Sequence, residues 1–195
     1  MTFKYGQIAP SQAINTLIYS CFEGLDKSTQ LKFVKLFRQQ PRDQDQIMHT
    51  LRKLILGAYL HRAGFQVRYA QRLRGKTPDW LLVNEQAMPL AIVELVNIHI
   101  DRQTETAIQI QSQTRPAVVV YWRDGNVDNI ERLRYRLQEK AQVYQDLVTE
   151  LDLAYIIAVF GEFKAALDME DIVACLNGER TGCLINICMS VGCCF

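Results

Sequence analysis

Two carboxylates on neighbouring apolar segments are the residues of this chain best placed to do chemistry. Asp79 opens the segment Thr77-Pro78-Asp79-Trp80-Leu81-Leu82-Val83, and Glu94 lies inside Leu90-Ala91-Ile92-Val93-Glu94-Leu95-Val96-Asn97. Fifteen positions separate them. That is room for one strand, a hairpin and half of the next strand, so both side chains can stand at similar heights on adjacent strands. Hard cations such as Mg2+ take oxygen ligands and are commonly held by one or two carboxylates plus water and substrate phosphate. The spacing therefore predicts a divalent-cation site of the kind that serves phosphodiester chemistry. Glu94 is the stronger clue, because an acid between Val93 and Leu95 costs free energy on burial unless a cation or hydrogen-bond donor offsets it. Each carboxylate alone also has a plain structural reading: Glu94 paired with an arginine or capping a sheet edge, and Pro78-Asp79 an ordinary turn.

The elements that must position these groups follow from periodicity. Ser11 to Glu23 and Lys27 to Arg38 read as amphipathic helices, with Ala13, Leu17, Ile18 and Cys21 on one stripe and Leu31, Val34, Leu36 and Phe37 near one face of the other. After Pro41, Asp43 or Asp45 can cap a third helix from about Gln46 to Ala63, which Gly64 ends as a left-handed cap residue would. Phe65 to Tyr69, Trp80 to Val83 and Leu90 to Ile98 read as strands, with Asn84 to Pro89 as a hairpin loop. Thr106 to Gln111 and Ala117 to Trp122 read as a further strand pair, and Arg123-Asp124-Gly125-Asn126 as a turn. A long helix from Val127 to Glu150, a buried strand from Leu153 to Phe160 and a short helix from Met169 to Leu176 complete the order. Strands joined through a crossover helix need helices over the sheet, which accounts for segments apolar almost throughout at 90–96 and 153–160. The expected class is α/β.

Composition bounds the function. At 195 residues, 49% hydrophobic and 22% charged, the chain can bury the core of one domain and lacks the bias of a disordered segment. No apolar run approaches the length that spans a bilayer, and Met1 to Pro10 lacks a basic segment leading into an apolar one, so no membrane association and a cytoplasmic location are expected. Net charge is only +1, but Arg62, Arg68, Arg72, Arg74 and Lys76 fall in a stretch without acids just before Asp79. Positive charge there suits a phosphate backbone; a solvated strand and loop is the plain alternative. The six cysteines, at 21, 175, 183, 188, 193 and 194, do not have the paired spacing of a zinc site, and no histidine lies near the tail. His49, His61 and His99 show no convergent spacing and read as structural. No glycine-rich phosphate loop, serine elbow or dinucleotide fingerprint is present.

From about Asp43 to Phe160 the chain resembles the PD-(D/E)xK nuclease superfamily, whose core is helix, three strands, helix, strand. Its signature is Pro-Asp followed by acid-x-Lys on the next strand. Pro78-Asp79 matches the first element, and Glu94-Leu95-Val96 matches the second except that Val96 replaces the lysine. The stretch Leu60-His61-Arg62-Ala63-Gly64-Phe65-Gln66-Val67 resembles the family's approach to its first strand. Leu137-Gln138-Glu139-Lys140-Ala141-Gln142-Val143-Tyr144 resembles its later helix, where a Lys and a Gln or Tyr commonly face the site.

The resemblance implies a restriction-endonuclease-like α/β domain at 41–178, an N-terminal helical extension at 1–40 and a Cys-rich tail at 179–195. It implies Asp79 and Glu94 as ligands of Mg2+ or Mn2+, with the Leu95 carbonyl as a further ligand and a lysine that positions or deprotonates the attacking water. Many relatives carry an additional Glu on the first core helix, where this chain offers Arg52 and Lys53. Migration of the lysine to the following helix is a pattern of the superfamily, which makes Lys140 the best replacement; it shares a helix face with Tyr144. Its plain reading is a solvated lysine in a charge-rich run. Lys53 ranks behind it. Asn97 can hydrogen-bond water or phosphate but cannot act as a base, and alternation puts it on the face opposite Val96.

The leading expectation is thus a metal-dependent nuclease-fold protein. Asp79, Glu94 and Lys140 would be catalytic, and Arg68, Arg72, Arg74 and Lys76 would contact nucleic acid, with DNA the expected form. The alternative is a catalytically inactive binding or assembly module in which Lys53, Arg52 or Lys140 neutralises Glu94. A third reading makes the N-terminal helices a partner interface, including one between copies of the chain in a homo-oligomer.

Overall fold

The computed structural model describes residues 11–39, 44–98, 106, 110, 129–161 and 172–175. Three helices come first: α1 (Gln12–Phe22), α2 (Lys27–Gln39) and α3 (Gln44–Arg62). Strands β1 (Gln66–Tyr69), β2 (Trp80–Val83) and β3 (Pro89–Ile98) follow, then α4 (Asn129–Leu151) and β4 (Ala154–Gly161). The four strands form one sheet in the order β1-β2-β3-β4. The pairs β1–β2 and β2–β3 are antiparallel, whereas β3 and β4 run parallel, as a crossover through a helix demands. The class is α/β with a mixed sheet.

Local chemistry explains where the elements start and stop. Asp26 caps α2, accepting the Thr29 amide at 3.0 Å and the Thr29 hydroxyl at 2.7 Å. Gly64 sits at φ +92 past the end of α3, where its amide bonds His61 O and the Phe65 amide bonds Leu60 O. That is a Schellman cap, and it turns the chain directly into β1. The link from β1 to β2 folds on itself through Leu73 and Lys76, whose backbones exchange both hydrogen bonds around Arg74 and Gly75, each with positive φ. Positive φ at both central positions is the type I′ hairpin turn. Between β2 and β3 the Asn84 side chain accepts the amides of Gln86 and Met88 and closes the expected hairpin loop.

Strand alternation sends β3 side chains to two separate cores. Ala91, Val93 and Leu95 join a cluster with Trp80, Leu82, Val67 and Tyr69 under Leu51, Leu54 and Ala58 of α3, Ile18 and Phe22 of α1, and Phe33 and Phe37 of α2. Residues Ile92, Val96 and Ile98 face the other way, against Leu133, Leu137, Tyr144 and Leu147 of α4. The sheet is therefore covered on both faces, and α1 and α2 are built into the same core as α3 and the sheet.

Trp80 is fully buried at the centre of the first core. Its ring lies 5.1 Å from that of Tyr69 and 5.9 Å from that of Phe33, and its Nε1 donates to Lys53 O at 2.9 Å. Gly57, one turn after Lys53, lets α3 lie directly on the indole, because a Cβ there would overlap Trp80 Cζ2 and Cη2.

Thr106 and Ile110, the described residues of the segment expected as a strand from Thr106 to Gln111, are helical; a short run with apolar residues two apart does not distinguish the two periods. Ala117 to Trp122 and the tail at 179–195 lie outside the described residues. Residues 172–175 are helical, within the short helix expected from Met169. Among the described residues no helix is long and apolar enough to cross a membrane.

The contact between α3 and Trp80 yields a stability prediction. Gly57→Ala should lower unfolding free energy by about 1–3 kcal/mol, the usual cost of overpacking a closed core, as read from denaturant midpoints. An unchanged midpoint would mean that helix and indole can separate freely.

Candidate functional site

The two carboxylates meet where β2 begins. The β2–β3 ladder starts with Trp80 opposite Val93, so Glu94 and Leu95 run past the first residue of β2 and lack a strand partner on that side. Asp79 fills the place. Its Oδ2 accepts the Leu95 amide at 2.9 Å, and its own amide donates to Glu94 Oε1 at 2.9 Å. The two acids are thereby locked to each other through backbone N–H groups. In an extended strand the N–H and C=O of one residue point to the same side, so the Leu95 carbonyl also faces this opening.

Two lysines reach the remaining oxygens from opposite layers. Lys53 Nζ, from α3, is 2.5 Å from Asp79 Oδ1, and Lys140 Nζ, from α4, is 2.6 Å from Glu94 Oε2. Every carboxylate oxygen of the pair thus has a donor. Both stems are anchored at their backbones: Lys53 O accepts the Trp80 indole, and Lys140 O accepts the Tyr155 hydroxyl at 2.9 Å. The Glu94 side chain is 3% exposed and that of Lys140 36%, so the acid is fixed inside while the ammonium borders solvent.

Aromatic hydroxyls wall the α4 side. Burial raises the Tyr144 hydroxyl above its ordinary pKa, and the Glu94 charge with the hydrogen bond Tyr144 donates to it adds to the rise. Tyr155 is raised by burial first and then by Glu94. On the α3 side, burial followed by the Asp79 charge pushes Tyr69 up to about 12. All three phenols stay neutral beside the carboxylates at ordinary pH.

Beyond the carboxylates a groove of about 290 Å³ opens between α3, the end of β3 and α4. His49, Val96, Asn97, Arg136 and Lys140 line it. Arg52 donates to Asn97 Oδ1 at 3.0 Å, which turns the Asn97 amide nitrogen toward His49 Nδ1. An Asn97 N–H donor makes that His49 nitrogen the acceptor, so neutral His49 carries its proton on Nε2. Asn97 does lie on the face opposite Val96, with α3 rather than α4.

The expected basic residues divide into two kinds. Arg74 pairs with Glu150, and Lys76 donates to Val143 O and lies 5.8 Å from the Tyr144 ring centre. These two fasten the β1–β2 link to α4. Arg68 and Arg72 are exposed.

Lys53, ranked low from the sequence, lies on one of the paired acids, while His49 bonds Asn97 and lines the groove beyond them. The signal was there: His49, Arg52 and Lys53 fall at i, i+3 and i+4, a polar stripe on a helix otherwise facing a core. Among the described residues no three His, Cys, Asp or Glu side chains converge. Two carboxylates with a carbonyl beside them fit a hard cation that keeps much of its water.

Two outcomes follow from the burial of these groups. Glu94→Ala removes the partner of Lys140, the Asp79 amide and Tyr144, and should lower unfolding free energy by about 3–5 kcal/mol. Glu94→Gln keeps the shape and should cost about 1–3 kcal/mol; equal losses in denaturant titrations would show that charge rather than shape matters. The tyrosines set the alkaline limit. A phenol whose pKa is raised on folding contributes stability that is complete below its ordinary value of 10.0 and is lost as pH rises through the folded value, about 12 for Tyr69. The denaturation midpoint should therefore fall between about pH 10 and pH 12, and Tyr69→Phe should reduce that fall. Comparison with protein families, with curated proteins and with solved structures found no match to this chain, so what the site can do rests on its own geometry.

Proposed function

We propose that the chain is a metal-dependent phosphodiesterase of the PD-(D/E)xK kind that acts on nucleic acid, with DNA the expected substrate. The observation that carries this reading is the Lys140 ammonium, 2.6 Å from Glu94. It supplies, from the following helix, the cation that Val96 cannot supply from the strand. The order of α3, three strands, α4 and a parallel fourth strand also agrees with the core that the resemblance implies.

In this reading Asp79 and Glu94 hold Mg2+ or Mn2+, with the Leu95 carbonyl beside them. When bound, the cation polarises the phosphoryl oxygen and lowers the pKa of its water. Lys140 holds the attacking water against Glu94 and offers its charge to the phosphate. Tyr144 keeps Glu94 in place through its hydroxyl. His49 and Arg136 line the groove through which the strand approaches, and Arg68 and Arg72 supply positive charge farther out.

A second reading has its own observation. All four carboxylate oxygens already have protein donors, and two ammoniums balance two carboxylates. That is what a catalytically inactive binding or assembly module would need to close the end of its sheet.

Calorimetric titration of Mn2+ separates the two. In the first reading the wild type binds, while Asp79→Ala and Glu94→Ala do not. Lys140→Ala keeps the cation but loses cleavage by about 100-fold or more, the scale of a proton-transfer or positioning group. A folded wild type that takes up no Mn2+ and is unaffected by chelators would favour the module.

A further inference from the structure

The resemblance accounts for one lysine at the site, and the structure has two. Lys53 lies on the carboxylate that the first does not touch, 2.5 Å from Asp79 Oδ1. We propose that Lys53 is a built-in counter-cation, which occupies on Asp79 the place a divalent cation would take and must release it before that cation can bind.

Several features make this more than a surface ion pair. Asp79 Oδ2 is committed to the Leu95 amide, so Oδ1 is the oxygen left to face a cation, and Lys53 occupies it. The Lys53 backbone cannot withdraw, because its carbonyl accepts the buried Trp80 indole and Gly57 holds the next turn of α3 on the same ring. Its side chain can. It has four methylenes, and at 19% exposure its ammonium has a way to water. Release is thus a change of rotamers rather than of fold. The ammonium also answers a cost that would otherwise arise without a metal, since Asp79 is only 11% exposed and an unpaired buried carboxylate is strongly unfavourable. One side chain therefore stabilises the metal-free protein and weakens metal binding by the same interaction, as linkage requires.

This inference deepens the metal-dependent reading and rests on it, and it is tested without an activity assay. Mn2+ is titrated calorimetrically into the wild type, Lys53→Met and Lys53→Gln, and the melting temperature of each is followed with and without Mn2+. The glutamine keeps a donor toward Asp79 and secures a folded variant should the methionine unfold. Removing the ammonium should tighten Mn2+ binding by about tenfold. Without metal each variant should melt below the wild type, and Mn2+ should raise its melting temperature by more. Variants that bind Mn2+ no more tightly than a binding wild type would overturn the role of Lys53 and leave the metal site standing. Binding by the variants alone would support it while showing the wild-type site closed. Failure of all three to bind would remove the cation site and the role of Lys53 together.

Discussion

A carboxylate is buried where β2 gives out beside β3, and much of the surrounding arrangement answers it. Glu94 lies on β3 with β4 on one side and helices on both faces, and it is 2% exposed. An isolated carboxylate in such a place would take up a proton or unfold the strand. It stays because three parts of the chain bring donors to it: the amide of Asp79 at the start of β2, the ammonium of Lys140 and the hydroxyl of Tyr144 on α4. Each requires an element to begin or cross at a particular point. Had the β2–β3 ladder continued two residues further, the Leu95 amide would face the Pro78 carbonyl in place of the Asp79 carboxylate.

Rigidity is concentrated on one side of this arrangement. Trp80 follows Asp79 directly and is packed against Tyr69, Phe33 and α3, while its indole nitrogen fixes the carbonyl of Lys53. The residue after one acid thus sets the backbone of the lysine that neutralises it. On the opposite face, Tyr155 of β4 fixes the backbone of Lys140, and its ring lies 5.7 Å from that of Tyr144. Carboxylates and helix backbones are held by short contacts, whereas the two lysines reach the acids on four-carbon stems, with Lys53 19% and Lys140 36% exposed.

Much of this was legible in the sequence because the signals were local. The pattern 80–83 matches β2, the Gly64 stop matches a Schellman cap, and the apolar run around Glu94 matches a strand buried on both faces. The proximity of Asp79 and Glu94 was legible from spacing on a hairpin. Lys53 was harder to see, since its contact depends on how α3 lies across the sheet, and that is decided by Gly57 against Trp80. Periodicity shows which face of a helix is buried; it does not show which end of that face lies over an acid 26 positions later. The basic stretch before Asp79 was read by composition alone, and composition did not foresee that Arg74 and Lys76 would be spent fastening a hairpin to α4.

Charge balance links the two readings of the site. Two carboxylates and two ammoniums cancel, so the protein as it stands has no electrostatic need of a metal, and that neutrality makes the sheet end stable. A divalent cation and one phosphodiester would together leave a single positive charge in excess. Attack on phosphorus adds one negative charge to the phosphoryl oxygens, which the excess would then meet. If both lysines stayed near the acids, the loaded site would match the charge of the transition state better than that of the bound substrate, the condition for catalysis rather than mere binding. If Lys53 turned fully to solvent, the match would fall on the substrate instead. Within the metal-dependent reading, therefore, the place the Lys53 ammonium takes when a cation arrives decides which charge the loaded site matches.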